Sequence, residues 1–131
     1  SKWNAKSIGV EVSSGYYTKY QPWYVRHGFG ERPVIEDAEV HGKKMDPFLG
    51  FYPVQEQALK ALYKAVHNAT GIPLVAPKSG DDDFKTLRSV SKQAAAGRFK
   101  GFVSHYHLTR KKIDCAHLDI QKILEEIKDE K

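Results

Sequence analysis

The sequence predicts an α/β domain in which short strands alternate with packing helices. Three stretches carry that expectation. In residues 7–13, SIGVEVS, Ile8, Val10 and Val12 alternate with Gly9 and Glu11, the period of two expected of a strand. In residues 53–68 the apolar side chains recur at helical spacing, with Val54, Ala58, Leu62 and Val66 in one stripe beside Leu59 and Ala65. Near the end, Leu118, Ile123, Leu124 and Ile127 mark a closing amphipathic helix whose outer face is charged.

A chain of 131 residues is one domain with enough length to bury a core. No apolar run approaches the roughly 20 residues of a membrane span. The single cysteine, Cys115, excludes an internal disulfide. The net charge of +5 gives a mild preference for an anionic partner. Nucleic acid is not expected, because the basic residues are spread along the chain apart from Lys43-Lys44 and Arg110-Lys111-Lys112, and no nucleic-acid-binding motif accompanies them. An acidic polymer such as the bacterial cell wall suits the charge equally well. Because the chain begins with Ser1, it is expected to be processed or part of a longer polypeptide.

Along the strand of residues 7–13, Glu11 faces away from the valines: exposed on a one-sided sheet, or at the floor of a cleft if both faces are covered. Residues 14–50 lose periodicity and read as an irregular insertion rich in Gly, Pro and aromatics, with Tyr16, Tyr17 and Trp23 as candidate substrate-binding residues. The same aromatics could equally pin the loop to the core. His27 and His41 read as ordinary loop histidines. The helix of residues 53–68 opens on Pro53 and stops at Gly71 and Pro73. Residues 74–76 suggest a short buried strand. Asp81, Asp82 and Asp83 are expected to cap a second helix with Phe84, Leu87, Val90 and Ala94 on one side, ended by Gly97. Residues 99–104 then return to strand.

The densest chemistry lies in residues 104–115, SHYHLTRKKIDC. If the strand continues into it, His105 and His107 point one way and Tyr106 the other. Asp114 and Cys115 follow closely enough for a loop to return either to His105. Imidazole, carboxylate and thiolate all suit zinc, whose catalytic sites hold three protein ligands and one open position.

Taken together, SIGVEV, FYPVQEQALKAL and VSHYHLTRKKID resemble, in order, three motifs of the zinc-dependent N-acetylmuramoyl-L-alanine amidases of type 2, the family of phage amidase-lysozymes and peptidoglycan recognition proteins. The resemblance spans most of residues 3–127. It implies a central mixed β-sheet flanked by helices, with the N-terminal strands missing. It implies His105 and Asp114 as zinc ligands, with Cys115 and His107 as alternatives to them. It implies Glu11 as the acid/base and Lys112 as the cation opposite the oxyanion. In such a site zinc lowers the pKa of a bound water to roughly 7 and the water attacks the amide between N-acetylmuramic acid and L-alanine. An amidase-like domain that binds peptidoglycan without cutting it is the alternative. The family's first zinc histidine lies well before SIGVEV, where only six residues stand here, so an N-terminal fragment or a second chain is expected to supply it; His107, His27 or His41 is the other candidate. The implied location is secreted, periplasmic or virion-associated.

Overall fold

The computed structural model describes residues 7–79, 82–113 and 115–130, with the side chains of residues 82–85 outside that description. It is a mixed α/β structure of five helices and three small antiparallel sheets of two strands each, and no central sheet forms among the described residues. A single 3-10 turn, Thr18–Tyr20, leads into α1 (Gln21–Arg26). β1 (Val34–Ile35) pairs with β4 (Phe48–Leu49), Val34 opposite Leu49. Between them β2 (Glu39–Val40) and β3 (Lys43–Lys44) form a hairpin. Its two turn residues, His41 and Gly42, have φ of 56° and 76°. Positive φ at both central residues matches the right-handed twist of a tight hairpin, and His tolerates it better than most residues do.

α2 (Pro53–Thr70) forms as the sequence predicts and runs two residues further. The Tyr52 N–H donates to Gln55 Oε1 at 2.8 Å at its start. At its end Gly71, at φ 74°, donates to the His67 carbonyl. α5 (Ile120–Asp129) also forms, capped by Asp119, whose carboxylate accepts from the Lys122 N–H at 3.1 Å. Ile120, Ile123, Leu124 and Ile127 are its buried face. They join Phe51, Leu59, Phe102 and Leu118 in the main core. A second cluster gathers Val40, Phe48, Tyr106 and Ala116. The His117 ring lies 4.5 Å from Phe51 and 5.8 Å from Phe48, centroid to centroid, and so links the two.

Four expected elements are replaced. Residues 7–13 have a strand pattern, but 8–13 join no strand among the described residues; Ile8 and Val10 are exposed, and Val12 packs on the core. Residues 74–76 and 99–104 touch through one backbone bond, from the Phe102 N–H to the Val75 carbonyl at 2.8 Å, without becoming a ladder. That crossing needs Gly101, where an added Cβ would collide with the Val75 carbonyl. The expected helix after the aspartates is instead β6 (Asp82–Thr86), paired with β5 (Lys78–Ser79), and then the short α3 (Lys92–Ala95). Two partners favour the strand. The Ser79-Gly80-Asp81-Asp82 run has turn composition. The buried Thr86 hydroxyl donates to Asp119 Oδ1 at 3.0 Å and accepts from the Gln121 N–H at 3.0 Å, fastening β6 to the start of α5. Asp81 itself lies outside the described residues.

Candidate functional site

The segment expected to project as a strand and loop begins instead with one helical turn, α4 (His105–Leu108), with Ser104 at its N-cap. Helical geometry breaks the alternation predicted for the two histidines: His105 is exposed, while Tyr106 and His107 are both fully buried. His107 Nδ1 accepts from the Ser104 N–H at 3.0 Å, and Nε2 lies 2.7 Å from the Leu87 carbonyl, to which it donates. Both ring nitrogens are thereby engaged. Burial, with Arg88 and His41 nearby, lowers the pKa of His107 to about 4 despite the opposing bond to Leu87. The sequence offered His107 as an alternative zinc ligand; its surroundings make it a neutral packing residue.

Asp114 lies outside the described residues. Cys115 is half-buried against the main core. Lys112 is exposed, as is Glu11 in its unpaired segment. Among the described residues no group of three His, Cys, Asp or Glu side chains could hold a metal ion. A zinc centre built on His105 therefore needs donors beyond the described residues, Asp114 among them.

What the fold does assemble is a cleft of about 630 Å³, with Tyr16, Tyr17, Val40, His41, Lys43, Met45, Asp46, Pro47, Arg110 and Ile113 around it. Two of the predicted substrate-binding residues, Tyr16 and Tyr17, thus face the residues flanking Lys112. His41 makes the closure. Its backbone N–H donates to the Arg88 carbonyl at 2.8 Å, and its Nε2 meets the Lys112 carbonyl at 3.1 Å across 71 residues of chain. The sequence reading took His41 for an ordinary loop histidine. The available signal was the His41-Gly42 pair between two short strand patterns, a tight-turn signature that would have placed His41 at a hairpin tip.

Tyr16 is a wall as well as a contact. Its ring stacks on Phe48 with centroids 4.9 Å apart and planes 6° from parallel, and burial raises its pKa. Behind it, Arg32 is buried with no carboxylate partner among the described contacts. Its guanidinium donates to the carbonyls of Gly50 (2.9 Å), Gly15 (2.6 Å) and Leu49 (3.3 Å), and it lies 4.7 Å from the Tyr24 ring centroid. That fork ties the start of the aromatic segment to the end of β4. Nothing in the local sequence around Arg32 announces this role, because its three acceptors lie 17 or 18 residues away along the chain.

Trp23 lies outside the cleft, in a shallow groove of about 340 Å³ with Gly15, Tyr20 and Tyr24. No protein-family model, curated protein or solved structure matches this chain.

Proposed function

We propose that this chain is part of a peptidoglycan hydrolase, a zinc-dependent amidase that cleaves between N-acetylmuramic acid and L-alanine and that works with an N-terminal segment not in this chain. One observation supports the reading most: the aromatic residues that follow SIGVEV share a single cleft with the residues either side of Lys112. Arg110 and Ile113, from one of the three stretches that resemble the amidase motifs, line it together with Tyr16 and Tyr17, which follow another of them. When bound, zinc would supply a water acidic enough to be deprotonated at neutral pH, held by His105, Asp114 and a donor from beyond this chain. Glu11 would hold that proton and pass it to the leaving nitrogen. Lys112 would place positive charge opposite the developing oxyanion.

The same reading gives the missing N-terminal polypeptide two places to dock. The outward face of α2 carries Val54, Ala58, Ala61, Leu62 and Ala65 and no charged residue, while Lys60 and Lys64 lie on the side towards the end of α5. Residues 8–13 keep a strand pattern and join no strand among the described residues. Strands supplied by an N-terminal fragment or second chain would pair with residues 7–13, cover α2 and complete a central sheet. The substrate places the protein outside the cytoplasmic membrane of the cell whose wall it cuts, as a secreted, periplasmic or virion-borne enzyme.

Zinc content and dye release from labelled peptidoglycan, measured with and without the polypeptide encoded directly upstream of Ser1, test this. Stoichiometric zinc and dye release with both pieces together are expected, and Glu11→Gln should retain the metal while losing turnover. Wall binding without release, under conditions where zinc is bound, would leave only the non-catalytic binder. Full activity of Glu11→Gln would remove Glu11 from the acid/base role.

A further inference from the structure

An aromatic track leaves the cleft and runs across the outside of the molecule. Tyr16 and Tyr17 meet edge to face with centroids 5.1 Å apart, and Tyr17 reaches Tyr20 at 6.2 Å. Tyr20 shares the second groove with Trp23 and Tyr24, and Trp23 continues to Phe29 at 6.1 Å with planes 19° apart. Tyr17, Tyr20, Trp23 and Phe29 are 58, 42, 45 and 61% exposed, so the core does not use most of this surface.

The track is held in place before any ligand arrives. The His27 ring stacks on Trp23 at 4.0 Å and 22°, while its Nδ1 bonds the Trp23 carbonyl at 2.7 Å. The Tyr24 hydroxyl accepts from the Gly15 N–H at 2.8 Å. Gly15 also leaves the groove open, since a Cβ there would press on Tyr20 and Tyr24 at 3.2 Å. Rings fixed in this way lose little freedom when something lies on them.

We infer that this groove is a sugar-binding site, distinct from the cleft, that takes the neutral N-acetylhexosamine backbone of a glycan strand. Three features select that occupant. The groove lining is Gly15, Tyr20, Trp23 and Tyr24; Lys19 lies 5.4 Å from the Tyr17 and Tyr20 ring centroids, and the buried Arg32 beside Tyr24 is taken up by backbone carbonyls, so a polyanion would meet a single exposed charge here rather than a row of them. Single-stranded nucleic acid needs cations that follow its backbone as well as rings for its bases. The groove is shallow, with phenolic hydroxyls beside flat apolar faces, which suits a ligand apolar on its ring faces and polar at its edges. And it is continuous with the cleft, so a long polymer can lie on the track while a branch from it enters the cleft. The inference rests on the hydrolase reading for the N-acetyl group of the sugar and for the identity of that branch.

The probe is the soluble tetramer of β-1,4-linked N-acetylglucosamine, which carries no peptide and no amide that the proposed reaction cuts. Calorimetry should detect its binding. Trp23→Ala and Tyr20→Ala should each weaken it about 3- to 10-fold, as loss of one aromatic contact worth roughly 0.5–1.5 kcal/mol implies. Trp23→Phe should retain most of it, and an unchanged melting temperature in each variant would show that the fold is intact. No binding at millimolar tetramer, or equal binding by Trp23→Ala, would overturn the site. Binding of oligo-dT or of anionic phospholipid vesicles that depends on Trp23, with none of the tetramer, would overturn the choice of occupant. Tetramer binding without dye release from peptidoglycan, even with the upstream polypeptide present and zinc bound, would defeat the hydrolase reading and leave the sugar site standing; dye release under those conditions without tetramer binding would do the reverse.

Discussion

Both ring nitrogens of His107 are occupied, and protonating Nδ1 would break the bond it accepts from Ser104. His117 is similar: its Nε2 accepts from the Phe51 N–H at 3.1 Å, and burial beside Arg32 and Arg88 lowers its pKa to about 4. Both histidines therefore have folded-state values of about 4, below the unfolded value near 6.5. Between those limits the unfolded chain binds more protons, so stability rises with pH. It is complete above about 6.5 and is lost progressively as the pH falls towards 4, by up to roughly 1.4 kcal/mol per pH unit for His107. Urea titrations at pH 7.5, 5.5 and 4.5 should show that decline. His107→Asn, which keeps an acceptor near Ser104 but does not titrate, should be less stable at neutral pH and lose less on acidification. Arg32 poses the opposite problem, a buried cation satisfied by three carbonyls. Arg32→Met would leave those carbonyls without their donor, and a loss of about 3 kcal/mol in urea-unfolding free energy is expected.

α2 is the element whose outline the sequence marks most clearly and whose orientation it marks least. Periodicity locates the helix, and Pro53 and Gly71 locate its ends. Yet of the apolar stripe Val54, Ala58, Leu62 and Val66, only Val66 packs on the core, beside Leu59 and Tyr63. Burial of Leu59 sets the rotation, and the charges fit it. Lys60 lies 3.5 Å from Glu130 and 3.9 Å from Glu126, and Lys64 lies 3.4 Å from Glu130, so α2 turns its lysines towards the acidic end of α5. Each such pair is worth little by itself. Packing of Leu59 supplies the larger share. Leu59→Ala should cost about 2–5 kcal/mol, whereas Leu62→Ala should stay within roughly 0.5 kcal/mol, both read from urea midpoints. Equal losses would mean that α2 is rotated from the orientation described.

Over the whole molecule, contacts are concentrated where α2, α5 and β6 pack together; one motif-bearing segment, residues 51–62, is part of that body, and residues 7–12 and 103–114 lie beside it. Backbone amides of α5 should be the slowest to exchange with solvent, and those of residues 8–12 among the fastest. Adding the upstream polypeptide should slow exchange in residues 8–12 while leaving α5 unchanged; no change would argue against strand pairing there. By itself the sequence determined an α/β composition, the two long helices with the start and stop of α2, and the clustering of candidate chemistry in residues 104–115, because these depend on spacing and on residues close in the chain. Burial of His107, the role of Arg32, and the meeting of Tyr16 and Tyr17 with Arg110 and Ile113 were decided only by tertiary structure. Each depends on partners tens of residues away, and local pattern carries no record of them. The strand pattern of residues 7–13 marks the boundary between the two: alternation shows that a segment can be a strand, but a neighbouring edge has to be present before it becomes one.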